Sequence, residues 1–238
     1  MCALEVKALV FDVFGTVVDW RSSIIRQGKE FGKANGVEAD WEAFADAWRG
    51  KYGPSMNRVR NGELPWTNLD ALHRMALEEV LSEFKITGLS EDVKAEFNLA
   101  WHKLDPWPDS VPGLWRLKHR HIIATMSNGN IALMTNMAKN AGLPWDCVLS
   151  AELAKHYKPD KEAYLTAADL LGLEPSEVMM VAAHPGDLRA AASVGFRTAL
   201  IPRPLERGPE RGLYYDVEET DFDVLADDFL DLADKLNA

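Results

Sequence analysis

The chain has 238 residues, 47% of them hydrophobic, and a formal net charge of −11. That length holds one large domain, or a core with an inserted subdomain, and the charge argues against nucleic acid or an anionic membrane as main partner, since both select clustered Lys and Arg. Two cysteines, Cys2 and Cys147, make neither a disulfide framework nor a metal-ligand spacing, and no stretch reaches the roughly 20 apolar residues of a membrane span.

The opening MCALEVKALVF sets Glu5 and Lys7 around an apolar run too short for a secretory leader, so a soluble cytoplasmic protein is expected. Residues 6–14 (VKALVFDVF) predict a buried strand: the run is short, rich in Val and Phe, and followed by glycine. From about Asp19 to Leu104 the period becomes helical. Helices are expected over 21–34, 41–60, 68–84 and 90–104, with breaks at Asn35-Gly36, at GELP (62–65) and at Thr87-Gly88. Six of the eight tryptophans fall between Trp20 and Trp107, which predicts an aromatic core for this block. DPWPDSVPG (105–113) carries three prolines and ends it. The rhythm then alternates: helix 111–119, strand 121–127, helix 130–141 ending at Gly142, strand 147–150, helix 160–171, strand 178–183, helix 186–194, strand 197–201, and a closing helix over 222–236.

Short apolar strands alternating with helices imply an α/β fold, a doubly wound parallel-sheet core of the Rossmann-like kind, interrupted after its first strand by a helical insertion. Ligands of such sheets bind at the C-terminal ends of the strands. That places Asp12, Ser127 and Asp187 along one crevice, with the helical block above it as a lid.

Four stretches fall on that edge: FDVFGT (11–16), SNG (127–129), YKPD (157–160) and AAHPGD (182–187). Alone, each has a plain reading. An Asp at a strand end caps or turns, Ser-Asn-Gly is a turn, Lys-Pro is a loop, and a Lys beside a carboxylate is a salt bridge. Their order and shared edge make the set specific.

The set resembles the haloacid dehalogenase superfamily over nearly the whole chain, and within it the L-2-haloacid dehalogenases. The resemblance implies a core domain of residues 1–17 and 105–238 and a helical cap domain of 18–104. It makes Asp12 the nucleophile, Ser127 and Lys158 the residues of the second and third motifs, and Asp187 the acid of the fourth. Trp48-Arg49 matches the cap arginine that receives the departing halide and its neighbour, although alone Arg49 reads as a surface charge. Asn128 and Tyr164 match that family too. The resemblance also implies a homodimer, a small-molecule 2-haloacid as substrate, and no metal or other cofactor.

Phosphatases of the superfamily carry a second Asp two residues after the nucleophile, to protonate the leaving group and later activate water. Here that position is Phe14, which transfers no proton. Halide, fluoride excepted, is a good leaving group and needs no general acid. A carboxylate attacks Cα in line and expels halide; water then attacks the ester carbonyl and releases a 2-hydroxyacid of inverted configuration. In this scheme Lys158 holds Asp12 ionised, and Asp187 positions or deprotonates water. Thr16, Ser127 and the N–H groups at Val13, Phe14 and Asn128 hold nucleophile and substrate carboxylate, Arg49 and Asn128 cradle the halide, and Phe14, Trp48 and Tyr52 form an apolar wall. The fourth motif departs from the best-known dehalogenases, with Ala182 and His184 where they carry Ser and Asn. Either His184 orients water or the ester carbonyl, or it caps helix 186–194. Fluoroacetate is a candidate substrate. The competing readings are a Mg²⁺-dependent small-molecule phosphatase, opening of a strained ring acid by the same Asp attack, and a non-catalytic binding protein.

Overall fold

A computed structural model describes residues 6–213, 215–216 and 221–238. β1 (Ala8–Phe11) is wholly buried, and it runs into a turn at Gly15, whose φ of +86° is in the left-handed region that glycine enters without strain. A two-residue strand, β2 (Val18–Asp19), leads into the helical insertion: α1 (Trp20–Asn35), α2 (Trp41–Gly50), α3 (Tyr52–Arg60), α4 (Leu69–Glu83), α5 (Glu91–Asn98) and a 3₁₀ turn at Leu99–His102. Capping side chains start four of these helices. Asp19, Asp40, Asn68 and Ser90 accept hydrogen bonds from N–H groups of the first turns. The return strand β3 (Asp105–Pro106) pairs antiparallel with β2, so the insertion leaves and re-enters at one place.

The rest of the chain alternates α6 (Ser110–Lys118), β4 (Ile122–Ser127), α7 (Ile131–Ala141), β5 (Cys147–Ser150), α8 (Ala151–Ala154), α9 (Lys161–Leu171), β6 (Val178–Ala182), α10 (Pro185–Ser193), β7 (Arg197–Leu200), β8 (Val224–Leu225) and α11 (Phe229–Lys235). The six strands form one parallel sheet in the order β5-β4-β1-β6-β7-β8. Leu9 and Phe11 pack into one buried cluster and Val10 into another, the period-2 signature of a strand covered by helices on both faces. After β5 the chain crosses β1 to continue with β6, so β1 stands where the winding reverses.

The expected α/β architecture is present, with local corrections. The helix expected over 41–60 is two helices, because Pro54 has no N–H to donate to the Gly50 carbonyl and its ring crowds that carbonyl. The 90–104 helix ends at Asn98 and tightens to 3₁₀. The closing helix starts at Phe229 rather than 222, capped by Asp228, after the sixth strand β8.

The insertion is filled as its tryptophans predict. Trp41, Trp48 and Trp101 are buried with Phe44 and Phe97, and Phe31 stacks on Phe97 at 4.0 Å between ring centroids. α4 is clasped to α7: Asn130 Oδ1 accepts from the Asp70 N–H at 3.1 Å, and Asn130 Nδ2 donates to the Asp70 carboxylate at 2.8 Å. Among the described residues no helix is long and apolar enough to cross a membrane.

Candidate active site

The C-terminal ends of β1, β4 and β6 open under the helical insertion into a cavity of about 630 Å³. Asp12, the residue after β1, lies on its floor. Its N–H donates to the Val181 carbonyl at 3.0 Å, which continues the sheet and aims the side chain off the edge. Three donors hold the carboxylate. Thr16 Oγ1 at 2.7 Å and His184 Nδ1 at 2.9 Å meet Oδ2, and Lys158 Nζ meets Oδ1 at 3.0 Å. Thr16 Oγ1 also accepts the Ala183 N–H at 2.9 Å, which commits its proton to Asp12.

Burial alone would raise the Asp12 pKa, but the Lys158 charge and the His184 hydrogen bond and charge outweigh it and hold the carboxyl well below its ordinary range. Lys158 is buried too, which disfavours its charge, yet the two carboxylates around it push its pKa up. Its ammonium lies between Asp12 and Asp187. Asp187 also receives the Tyr164 hydroxyl. Burial raises the Asp187 pKa against the opposing pull of Lys158, with the Asp12 charge adding to the rise.

His184 sits at the N-cap of α10, but its ring makes no cap hydrogen bond. It bridges two carboxylates, with Nδ1 on Asp12 and Nε2 at 3.1 and 3.2 Å from the Glu206 oxygens. Burial would lower its pKa; the hydrogen bonds to Asp12 and Glu206 override this and raise it to about 10. The ring is an imidazolium at neutral pH.

Across the cavity, α2 delivers Arg49. Its guanidinium lies 4.0 Å from the Tyr52 ring centroid, 5.4 Å from Trp20 and 5.6 Å from Phe14. Its Nη1 is buried without a hydrogen-bond partner. An aromatic cage around a cation with an unused N–H is built for a small anion. His73 behind the cage stays neutral, its pKa pushed down to about 3 by burial and then by the Arg49 charge.

Of the residues expected from sequence, Asp12, Phe14, Arg49, Asn128, Lys158, His184 and Asp187 line this one cavity, and Tyr52 joins them. Thr16 stands behind Asp12. Asn128 Oδ1 accepts the Lys158 N–H at 2.7 Å, fixing the lysine loop to the end of β4. Three placements differ from expectation. The Ser127 hydroxyl accepts the Gly129 N–H at 3.0 Å, a local turn contact, and Ser127 is not among the residues that line the cavity. Trp48 is fully buried in the insertion and donates to the His73 carbonyl; Trp20 takes its place in the wall. Val13, expected to act through its N–H, has a buried side chain and a carbonyl that accepts from Val17 and Val18, neither of which bears on that N–H. Tyr164 is buried on α9 and reaches the site only through Asp187. Glu206 was not foreseen. It lies in PRPLERGPER (202–211), where two acids, Glu206 and Glu210, among arginines and prolines have no period or motif to mark either. Among the described residues no group of three or more His, Cys, Asp or Glu side chains could hold a metal ion.

A family model for haloacid dehalogenase-like hydrolases matches residues 6–195. The chain is 33% identical over 210 residues to (S)-2-haloacid dehalogenase 4A of Burkholderia cepacia, with 84% of each chain covered. It superposes on the crystal structure of a defluorinating L-2-haloacid dehalogenase with a TM-score of 0.94 and 46% identity, covering 98% of this chain and 96% of the other. The L-2-haloacid dehalogenase of Xanthobacter autotrophicus with chloropropionic acid covalently bound gives a TM-score of 0.80 at 25% identity, covering 98% and 99%.

Proposed function

The chain belongs to the haloacid dehalogenase-like hydrolases, and on that footing we propose that it hydrolyses short 2-haloacids to 2-hydroxyacids with inversion, through an ester on Asp12. The observation that carries this reading is the caged Arg49 with its unpartnered Nη1, in the same cavity as an ionised Asp12 and with Phe14 where a phosphatase would hold a proton donor. Asp12 attacks Cα in line, the carbon–halogen bond breaks with both electrons leaving on the halogen as halide, and Arg49 and Asn128 receive it. No proton is needed at the leaving group, so Phe14 serves as wall. Lys158 keeps Asp12 charged and oriented. Asp187, a carboxylate whose burial raises its basicity, takes a proton from the water that attacks the ester. His184 orients that water or the ester carbonyl from its place on Asp12 Oδ2.

The same reading gives residues 18–104 the role of a cap domain over a core of 1–17 and 105–238, with Arg49 the cap's contribution to the chemistry. Fluoroacetate belongs to the proposed substrate range, because a guanidinium N–H donor is a strong partner for departing fluoride. A cytoplasmic homodimer is the assembly proposed.

Halide release from chloroacetate, fluoroacetate and both 2-chloropropionate enantiomers in EDTA tests this directly. Release is expected from the wild type. It should be absent in Asp12→Asn and reduced about 10²-fold or more in Arg49→Lys, whose compact ammonium cannot stack in the cage. Phosphate release from p-nitrophenyl phosphate with Mg²⁺, and no halide, would replace this reading with a phosphatase.

A further inference from the structure

We propose that Glu206 is a positioning residue for ester hydrolysis: it keeps the His184 imidazolium in place as an oxyanion donor after Asp12 has lost its charge. This rests on the ester reading above and adds a residue to it.

The two oxygens of Asp12 are not equivalent. Oδ2 is met by Thr16 Oγ1 at 2.7 Å and His184 Nδ1 at 2.9 Å, whereas Oδ1 is met by Lys158 alone, at 3.0 Å. Oδ1 is therefore the freer nucleophile. When its lone pair forms the bond to Cα and halide departs, Oδ2 becomes the ester carbonyl oxygen with two donors already aimed at it. Water then bonds to the Asp12 Cγ, and the carbonyl pair moves onto Oδ2. One water proton passes to Asp187 and on to the departing product oxygen as the Cγ–Oδ1 bond breaks. The other leaves the new carboxyl for solvent. The sum is haloacid plus water giving hydroxyacid, halide and one proton.

Esterification removes one of the two carboxylates that hold the imidazolium. A neutral ring that donates Nε2–H to Glu206 would turn its Nδ1 lone pair against Oδ2, the wrong partner for a developing oxyanion. Glu206 is the group that prevents this, and its placement is built for it. Its oxygens lie 3.1 and 3.2 Å from Nε2, and Oε1 accepts the Trp20 indole N–H at 3.1 Å. The side chain fills the notch beside Gly15, where an added Cβ would meet Oε1 at 2.3 Å. Its N–H donates to the Arg203 carbonyl at 3.0 Å. Arg203 is fixed in turn by the Thr16 carbonyl at 2.9 Å and by both Asp109 oxygens at 2.7 and 2.8 Å. The acid is thus anchored to the same loop that carries Asp12 and Thr16. Other charges around the pair are Arg49, whose field lowers the Glu206 pKa, Lys158 with Asp187 around Asp12, and Asp46, Arg207 and Arg211 on the cavity wall.

Asp12→Asn is an uncharged isostere of the ester and allows a test without turnover. Ring ¹⁵N shifts at pH 8 should report a doubly protonated His184 in Asp12→Asn and a singly protonated one in Asp12→Asn/Glu206→Gln; the same charge state in both overturns the proposal. In turnover with chloroacetate, Glu206→Gln keeps an acceptor for Trp20 but loses the charge. It should show a halide burst of about one equivalent, an Asp12 ester visible by peptide mass, and a steady state slowed at least about tenfold. An unslowed steady state without a burst overturns it. A wild type that releases no halide sinks the ester reading itself, whereas wild-type turnover with an unaltered Glu206→Gln sinks only the role of Glu206. If Glu206→Gln does not fold, Glu206→Asp serves: it should slow ester hydrolysis more than ester formation, and equal slowing of both rejects the proposal.

Discussion

At the level of single side chains, the charges of Asp12, Lys158 and His184 are set by neighbours against the pull of burial. His184 is the clearest case, protonated to about pH 10 in the fold against 6.5 for the ordinary ring. Between those values the folded chain keeps a proton that the unfolded chain has released. Its contribution is complete below about pH 6.5 and falls as pH rises toward 10, by at most about 1.4 kcal/mol per unit. Urea denaturation between pH 6 and 9 should therefore show stability falling more steeply with pH in the wild type than in His184→Gln; parallel slopes would remove the ion pairs from the account. Asp12, Asn128 and Lys158 were legible in sequence because each stands at a strand end or in a loop beside turn residues, and Asp187 because it follows β6 in the Pro-Gly-marked first turn of α10. Trp48 was misplaced because it is adjacent to Arg49 in sequence. Consecutive helical residues point about 100° apart, so Arg49 enters the cavity while Trp48 enters the core of the insertion. The Ser127 hydroxyl accepts the Gly129 N–H, a turn contact that Ser-Asn-Gly does not announce, and a hydroxyl that accepts one bond can still donate another.

Among elements, the long helices and buried strands were readable from period and caps, while the shortest pieces were not. β2, β3 and β8 span two residues each, too few for any alternation to register. The break after Gly50 was written in Pro54, four residues on, but an amphipathic pattern that continues across a proline hides it. Glu206 lies in the connection after β7; what fixes that stretch beside the site is the buried Arg203–Asp109 pair, with side chains 8% and 11% exposed. Asp109 also accepts the Phe229 N–H at 2.9 Å, so one carboxylate ties this connection to the start of α11. Arg203→Ala leaves that carboxylate buried and uncompensated, an expected loss of about 3–5 kcal/mol in urea unfolding. A loss below about 1 kcal/mol would mean that the connection is held by something else.

For the molecule as a whole, the site is shared between two parts of the fold. The sheet edge supplies nucleophile, ammonium and acid; the helical insertion supplies the cation cage and most of the aromatic wall. The Asp70–Asn130 clasp, extended by His102 on Asp70 and Asn136 on His102, joins the insertion to α7. Composition and charge argued against nucleic acid or an anionic membrane as main partner, and the order of four short stretches pointed to one reaction. Tertiary pairing of distant charges, Glu206 with His184 above all, became visible only in the folded chain. The central claim is covalent attack by Asp12. A single turnover in H₂¹⁸O, with enzyme in excess over chloroacetate, tests it most directly. Water that attacks Cγ leaves ¹⁸O in the Asp12 carboxylate, and the product hydroxyl carries the unlabelled oxygen that Asp12 supplied. Label in the Asp12 peptide and none in the first-turnover glycolate is the predicted result. Label passing straight into the glycolate hydroxyl, with Asp12 unlabelled, would contradict it.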